Sequence, residues 1–243
     1  MSWSKRYKML KDTIEKYPVS GIPKDLFMEY FFIDSFSFYE IIEFGAGTGN
    51  WSVLIDNLTR KGVGLSKSER QRAFHQVENF DYTSHLTMSH VYEKENWPTT
   101  PEDLRNNCIQ ASLELTTREI KSKYYFENIN DLLKRNLYED FNVIRIDCDI
   151  DWDLFWKWLP HNTAEDFIII VDDIAPNYCY ERFYNMMKQS NDIKNIKPVW
   201  LGINTGIWCS SNLTISDTVN YAAAELTHLY DVIRIRDGIL ITR

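Results

Sequence analysis

The stretch 43-EFGAGTGN-50 decides how the rest of the chain is read. It follows the apolar run 38-FYEII-42 and holds three of the chain's 9 glycines, at 45, 47 and 49. A glycine-rich turn between a strand and a helix lets a ligand approach backbone that side chains would otherwise shield. A dinucleotide site of the G-x-G-x-x-G kind wants an apolar residue where this chain carries Glu43, because a carboxylate there opposes a pyrophosphate. An acid at that place suits a cationic ligand.

Outward from this turn the pattern alternates. Short β-rich runs at 39–45, 62–66, 122–126, 141–147 and 167–173 are separated by helical candidates at 49–60, 67–80, 100–115, 130–137, 151–159 and 180–189. Alternation of this kind predicts a parallel sheet covered by helices on both faces. The C-terminal part departs from it with two hairpins, 198–211 around Asn204-Thr205-Gly206 and 231–243 around Asp237-Gly238, so the sheet should finish in antiparallel strands. The expected fold is therefore α/β, a doubly wound Rossmann-like sheet ending in antiparallel strands. Residues 1–38 read as an N-terminal helical extension and 39–243 as a single domain; residues 81–99 read as a long loop, of the kind that is a lid, a binding loop or a disordered insert.

The chain of 243 residues carries 27 Lys+Arg against 35 Asp+Glu, a formal net charge of -8 that disfavours nucleic acid and anionic membrane as partners. No apolar run reaches a membrane span, and the charged N-terminal stretch has no signal core, so a cytoplasmic protein is expected. Cysteines 108, 148, 179 and 209 form no C-x-x-C pair and read as free thiols. The five histidines show no ligand spacing.

Four aspartates form the second informative group. Asp147 ends one β-run with Asp149 two residues on, and Asp172 and Asp173 end the next. In a doubly wound sheet the carboxyl ends of the strands form the ligand edge, so these acids should converge. Such a cluster is stable if water screens it, if some members are protonated, or if a cation joins it. Aspartates without His or Cys select a hard cation, Mg²⁺ foremost. Helix capping by Asp149 or Asp151 and a solvated turn at Asp173 are the plainer alternatives. Trp152, Phe155, Trp156 and Leu159 mark a buried helix face, with Trp158 off that stripe and expected at the surface.

Glu43 to Gly49 resembles the first motif of class I S-adenosylmethionine-dependent methyltransferases, E/D-x-G-x-G-x-G. The run R-I-D-C-D, a short helix ending W-L-P, then I-I-V-D-D is similar to the macrocin O-methyltransferase family, Mg²⁺-dependent enzymes that methylate sugar hydroxyls. The likeness covers residues 100–190 well and 39–243 loosely. It implies S-adenosylmethionine at Glu43, Gly45, Ala46, Gly47 and Gly49, with adenine near Glu127 and Asn128. It also implies Mg²⁺ on Asp147, Asp172 and Asp173, and Asp149 as the general base. The family places an acid at the end of the second strand for the ribose hydroxyls. Here Ser66 falls at the expected place, with Glu69 one helical turn later. Cys148, Ile174 and the segment 150–153 also depart from the family's pattern, which bears on the acceptor. The resulting expectation is an O-methyltransferase acting on a small hydroxylated acceptor, a sugar or polyol, and the resemblance implies a homo-oligomer. A non-catalytic methyltransferase-like module and a protein methyltransferase are the alternatives, the first favoured by Ser66.

Overall fold

The computed structural model describes residues 3–17, 19, 21–36, 38–62, 72–78, 100–117, 121–174, 180–192, 196–210, 219–221, 223, 224 and 226–243. Two helices, α1 (Trp3–Lys16) and α2 (Pro23–Ser35), precede β1 (Glu40–Phe44), α3 (Asn50–Gly62) and β2 (Ala73–Glu78). Then come α4 (Pro101–Thr117), β3 (Lys121–Phe126), α5 (Ile129–Leu132), β4 (Phe141–Ile146), α6 (Trp152–Trp158), β5 (Thr163–Val171) and α7 (Tyr180–Asp192). Four strands close the chain: β6 (Ile196–Leu201), β7 (Gly206–Ser210), β8 (Ile233–Arg236) and β9 (Ile239–Thr242).

The nine strands form one sheet in the order β3-β2-β1-β4-β5-β7-β6-β9-β8. Strands β1 to β5 pair in parallel, and β7 runs antiparallel to both β5 and β6. The expected α/β sheet with antiparallel end strands is what the chain forms. Both foreseen hairpins are present. Asp237 and Gly238 take φ of 53° and 78°, the left-handed pair that a two-residue turn matching strand twist requires.

Each central strand is buried on both faces, so consecutive residues enter opposite cores. Ile41, Val143, Ile168 and Ile170 face α2 and α3, whereas Ile42, Ile144, Ile169 and Val171 face Phe155 and Trp158 of α6 and Met186 of α7. Helix α2 is itself core: Leu26, Phe27, Met28, Tyr30, Phe31, Phe32 and Ile33 are all essentially inaccessible.

Two local expectations are corrected. A helix was expected over 67–80, yet 73–78 is the second strand, in register with β1 from Glu40↔Ala73 to Phe44↔Val77. Its sequence, AFHQVE, is buried on both faces despite three polar residues, so it lacks the apolar alternation that marks a half-exposed strand. The run 62–66 begins with the last residue of α3, and the remainder lies outside the described residues. Trp158 is buried, not exposed: the chain turns into a 3-10 helix at Leu159–His161, and the indole sits edge-on to Phe44 and stacked on Phe141.

Candidate active site at the carboxyl edge of the sheet

The turn after β1 is built from left-handed backbone. Gly45, Gly47 and Gly49 have φ of 80°, 53° and 74°, a region that a Cβ disfavours. Space is equally tight: a Cβ on Gly45 would lie 2.6 Å from the Asp147 carbonyl oxygen, and one on Gly49 would lie 2.9 Å from the Tyr124 hydroxyl. The Gly45 and Ala46 amides both donate to the Val77 carbonyl, at 2.9 and 3.1 Å, which ties the turn to the end of β2.

That strand end supplies an acid. Glu78, the last residue of β2, accepts a 2.6 Å hydrogen bond from the Gly47 amide. Burial pushes its carboxyl up to about 7, opposed by the bond from Gly47. The sequence expectation put this strand end at Ser66; Ser66, Glu69 and residues 81–99 lie outside the described residues. Phe74 and Val77 stand three residues apart, a helical spacing, so the sequence carries no local strand signal ending at Glu78.

Glu43 does not line the turn's open side. It is 1% exposed and lies beneath it, accepting from Ser52 Oγ at 3.2 Å and from Arg145 Nη1 at 3.0 Å. Arg145 is the unforeseen centre of the site. Opposite Glu43 in the β1–β4 register, its buried guanidinium meets four carboxylates. Nε reaches Glu29 at 3.3 Å, Nη1 reaches Glu43 at 3.0 Å and Asp147 at 2.9 Å, and Nη2 reaches Asp172 at 3.2 Å. Trp51 covers it, with the guanidinium carbon 5.0 Å from the ring centroid, and its indole N–H donates to Glu29 at 2.6 Å. Burial raises Glu29 and Glu43 to about 8, with Arg145 pulling the other way. Burial thus favours the carboxylic acid form of each, and the Arg145 guanidinium favours the ionised form. Of the three routes to a stable acid cluster, the joining of a cation is met from within the protein, by Arg145.

The aspartates expected to hold Mg²⁺ do gather at the ends of β4 and β5, each with protein partners. Besides Arg145, Asp172 accepts from Thr205 Oγ1 at 2.7 Å and from the Asp173 amide at 2.9 Å. Asp173, at φ 57°, accepts from Asn204 Nδ2 at 2.7 Å and lies 3.7 Å from Arg182. Among the described residues the one trio of ligand atoms within 4.8 Å of one another is Glu40, His75 and Glu139, which includes none of these aspartates. The oxygens of Asp147, Asp172 and Asp173 are instead engaged by Arg145, Thr205 and Asn204.

Asp149 projects from the same edge, its side chain 91% exposed, with Oδ1 held 3.1 Å from Arg182 Nη2. The cap of α6 is Asp151, which accepts from the Leu154 amide at 3.0 Å. Glu127 pairs with Arg135, and Asn128 caps α5 by accepting from the Asn130 amide at 2.9 Å.

A buried acid from α2 fixes the segment that orients Asp172 and Asp173. Asp25 accepts from the amides of Ile203, Asn204 and Thr205 at 3.2, 2.6 and 3.0 Å. Asn204 and Thr205 are the residues whose side chains bond the two aspartates.

No protein-family model and no curated protein matches the chain. Solved structures do match in fold. A putative caffeoyl-CoA O-methyltransferase from Staphylococcus aureus superposes with a TM-score of 0.51 at 12% identity, covering 84% of this chain and 91% of that one. For a putative O-methyltransferase from Klebsiella pneumoniae the values are 0.53, 10%, 84% and 89%. For the SAH-bound methyltransferase PaMTH1 from Podospora anserina they are 0.50, 14%, 85% and 86%. The chain thus has the Rossmann-like fold of these methyltransferases, over nearly their whole length.

Proposed function

We propose that the chain is an S-adenosylmethionine-dependent O-methyltransferase acting on a hydroxyl of a small molecule, a sugar or polyol. The observation that carries this reading is Glu78 beside the glycine turn. A carboxylate at the end of β2, within 2.6 Å of the Gly47 amide, is the acid that the resembled methyltransferases use for the ribose hydroxyls. Its presence removes the ground on which Ser66 favoured a non-catalytic module. The turn also fits the cofactor: left-handed glycines leave backbone bare where the methionine and ribose portions would lie. The SAH-bound Podospora neighbour supports the same ligand.

When bound, S-adenosylmethionine supplies an electrophilic methyl group. The chain's own residues account for the rest. Gly45, Ala46, Gly47 and Gly49 present backbone to the cofactor, Glu78 holds its ribose, and Glu127 and Asn128 follow β3 at the adenine side. Glu43 acts from beneath, through Arg145, as a support of the turn. At the acceptor side Asp149 receives the hydroxyl proton, and its ion pair with Arg182 holds the carboxylate in place. Catalysis then rests largely on alignment of the acceptor oxygen with the methyl group, which the rigid strand ends favour. No step is routed through Mg²⁺, because Asp147 and Asp172 are already committed to Arg145. The net charge of -8 favours a small acceptor over nucleic acid or an anionic membrane.

Calorimetric titration with S-adenosylhomocysteine tests the cofactor assignment. The wild type should bind, and Glu78→Ala should bind about tenfold or more weakly, in line with loss of hydrogen bonds to a charged group. Absence of binding to the wild type would overturn the reading. For the acceptor, methyl transfer to a panel of sugars and polyols should vanish in Asp149→Asn while S-adenosylhomocysteine affinity stays unchanged.

A further inference from the structure

Away from the cofactor edge, three residues distant in sequence meet near the opposite ends of the strands. Glu40 opens β1, His75 lies midway along β2, and Glu139 stands two residues before β4. Their ligand atoms all fall within 4.8 Å of one another. His75 is 3% exposed, whereas the Glu40 and Glu139 side chains are 17% and 29% exposed, so a buried nitrogen is approached from solvent past two carboxylates. His75 Nε2 lies 2.8 Å from Glu40 Oε1, and Nδ1 lies 3.3 Å from the Tyr125 hydroxyl. Phe141 packs edge-on against the imidazole and Tyr125 stacks over it, fixing the ring plane.

We infer that Glu40, His75 and Glu139 form a binding site for a divalent transition-metal ion, Zn²⁺ in the first instance. One imidazole with two carboxylates is a donor set that suits Zn²⁺ and is unsuited to Mg²⁺, which takes all-oxygen coordination. In the metal-free protein Nε2–H donates to Glu40; with an ion in that proton's place, the Tyr125 hydroxyl would take the part of the outer partner, accepting from Nδ1–H and leaving the Nε2 lone pair to the metal. Two carboxylates and a neutral imidazole balance the ion's charge. Lys123 is the competitor, with Nζ 2.5 Å from Glu139 Oε1, but its side chain is 55% exposed and can turn away into water. The ligands come from β1, β2 and the lead into β4, so a bound ion would staple the β2-β1-β4 part of the sheet from the side opposite the glycine turn.

The test is calorimetric titration of the metal-free full chain with ZnCl₂, paired with Co²⁺ absorption spectroscopy. One ion should bind per chain, Co²⁺ should give the intense visible bands of a four-coordinate site, and MgCl₂ should give no saturable heat. Glu139→Gln and His75→Ala should each weaken Zn²⁺ about tenfold or more, Tyr125→Phe should weaken it about tenfold, and Lys123→Ala should tighten it. Glu139→Gln alters a half-exposed residue, so the test does not depend on the buried His75 variant folding. No saturable Zn²⁺ binding to the wild type, or binding that Glu139→Gln leaves unchanged, would overturn the assignment. Neither result touches the S-adenosylhomocysteine titration, which reads the other edge of the sheet.

Discussion

Arg145 and Glu43 face each other across β1 and β4, register partners whose side chains form a 3.0 Å ion pair with almost no exposure to water. This pair holds the glycine turn from below, since Glu43 lies two residues before Gly45 and Arg145 two before Asp147, whose carbonyl packs against Gly45.

Arg145→Met should therefore destabilise the protein by about 3–5 kcal/mol, because buried carboxylates are left without their cation. Chemical denaturation measures this directly. Adding Glu43→Gln to that variant should restore part of the loss; a double variant no more stable than the single would show that the pair is not coupled.

Stability should fall as pH rises from about 5 to about 8. Glu29 and Glu43 have folded-state values raised to about 8 from 4.5, so the folded chain holds protons that the unfolded chain has released in this window. Each rise in pH then favours unfolding until both groups are ionised in either state. Thermal melts across the window should show the decline, and Glu29→Gln should flatten it. A melting temperature that climbs through the same window would contradict the raised values.

Gly45→Ala should cost more than the roughly 1 kcal/mol of an ordinary left-handed glycine, because strain is joined by a Cβ placed 2.6 Å from a backbone oxygen. Gly238→Ala is the control: its φ is 78°, but nothing lies within 4 Å of the added atom. Denaturation midpoints should rank wild type, then Gly238→Ala, then Gly45→Ala.

Asp25→Ala should remove about 1–3 kcal/mol by leaving the 203–205 amides without their shared acceptor. Local hydrogen exchange should quicken at Ile203, Asn204 and Thr205 more than in β1. Uniform exchange across the sheet would mean that Asp25 acts on global stability alone.

The glycine turn, the parallel sheet and the two hairpins were legible because each rests on short-range chemistry: a glycine-rich turn, short apolar runs alternating with helical stretches, and the Asn-Thr-Gly and Asp-Gly turn sequences. β2 was not, since His75, Gln76 and Glu78 make a doubly buried strand look like a solvated helix. Arg145 is hidden for another reason. The spacing of Asp147, Asp172 and Asp173 implies a cation from outside, whereas the cation stands two residues upstream in the same run, R-I-D. Pairings such as Asp25 with Asn204, or Glu40 with Glu139, leave no local periodicity and emerge only once the strands are ordered.

The Asp25 bonds span 178 to 180 residues, from the second helix to the β6–β7 turn. During synthesis, then, the strand-end aspartates acquire their orienting partners only after the ribosome has released Thr205. Until that moment the chain lacks the amides that Asp25 binds and the two side chains that bond Asp172 and Asp173. Contacts this distant slow folding, because loop closure precedes the contacts that offset it. The protein's first helices and last strands must meet before the enzyme we propose exists.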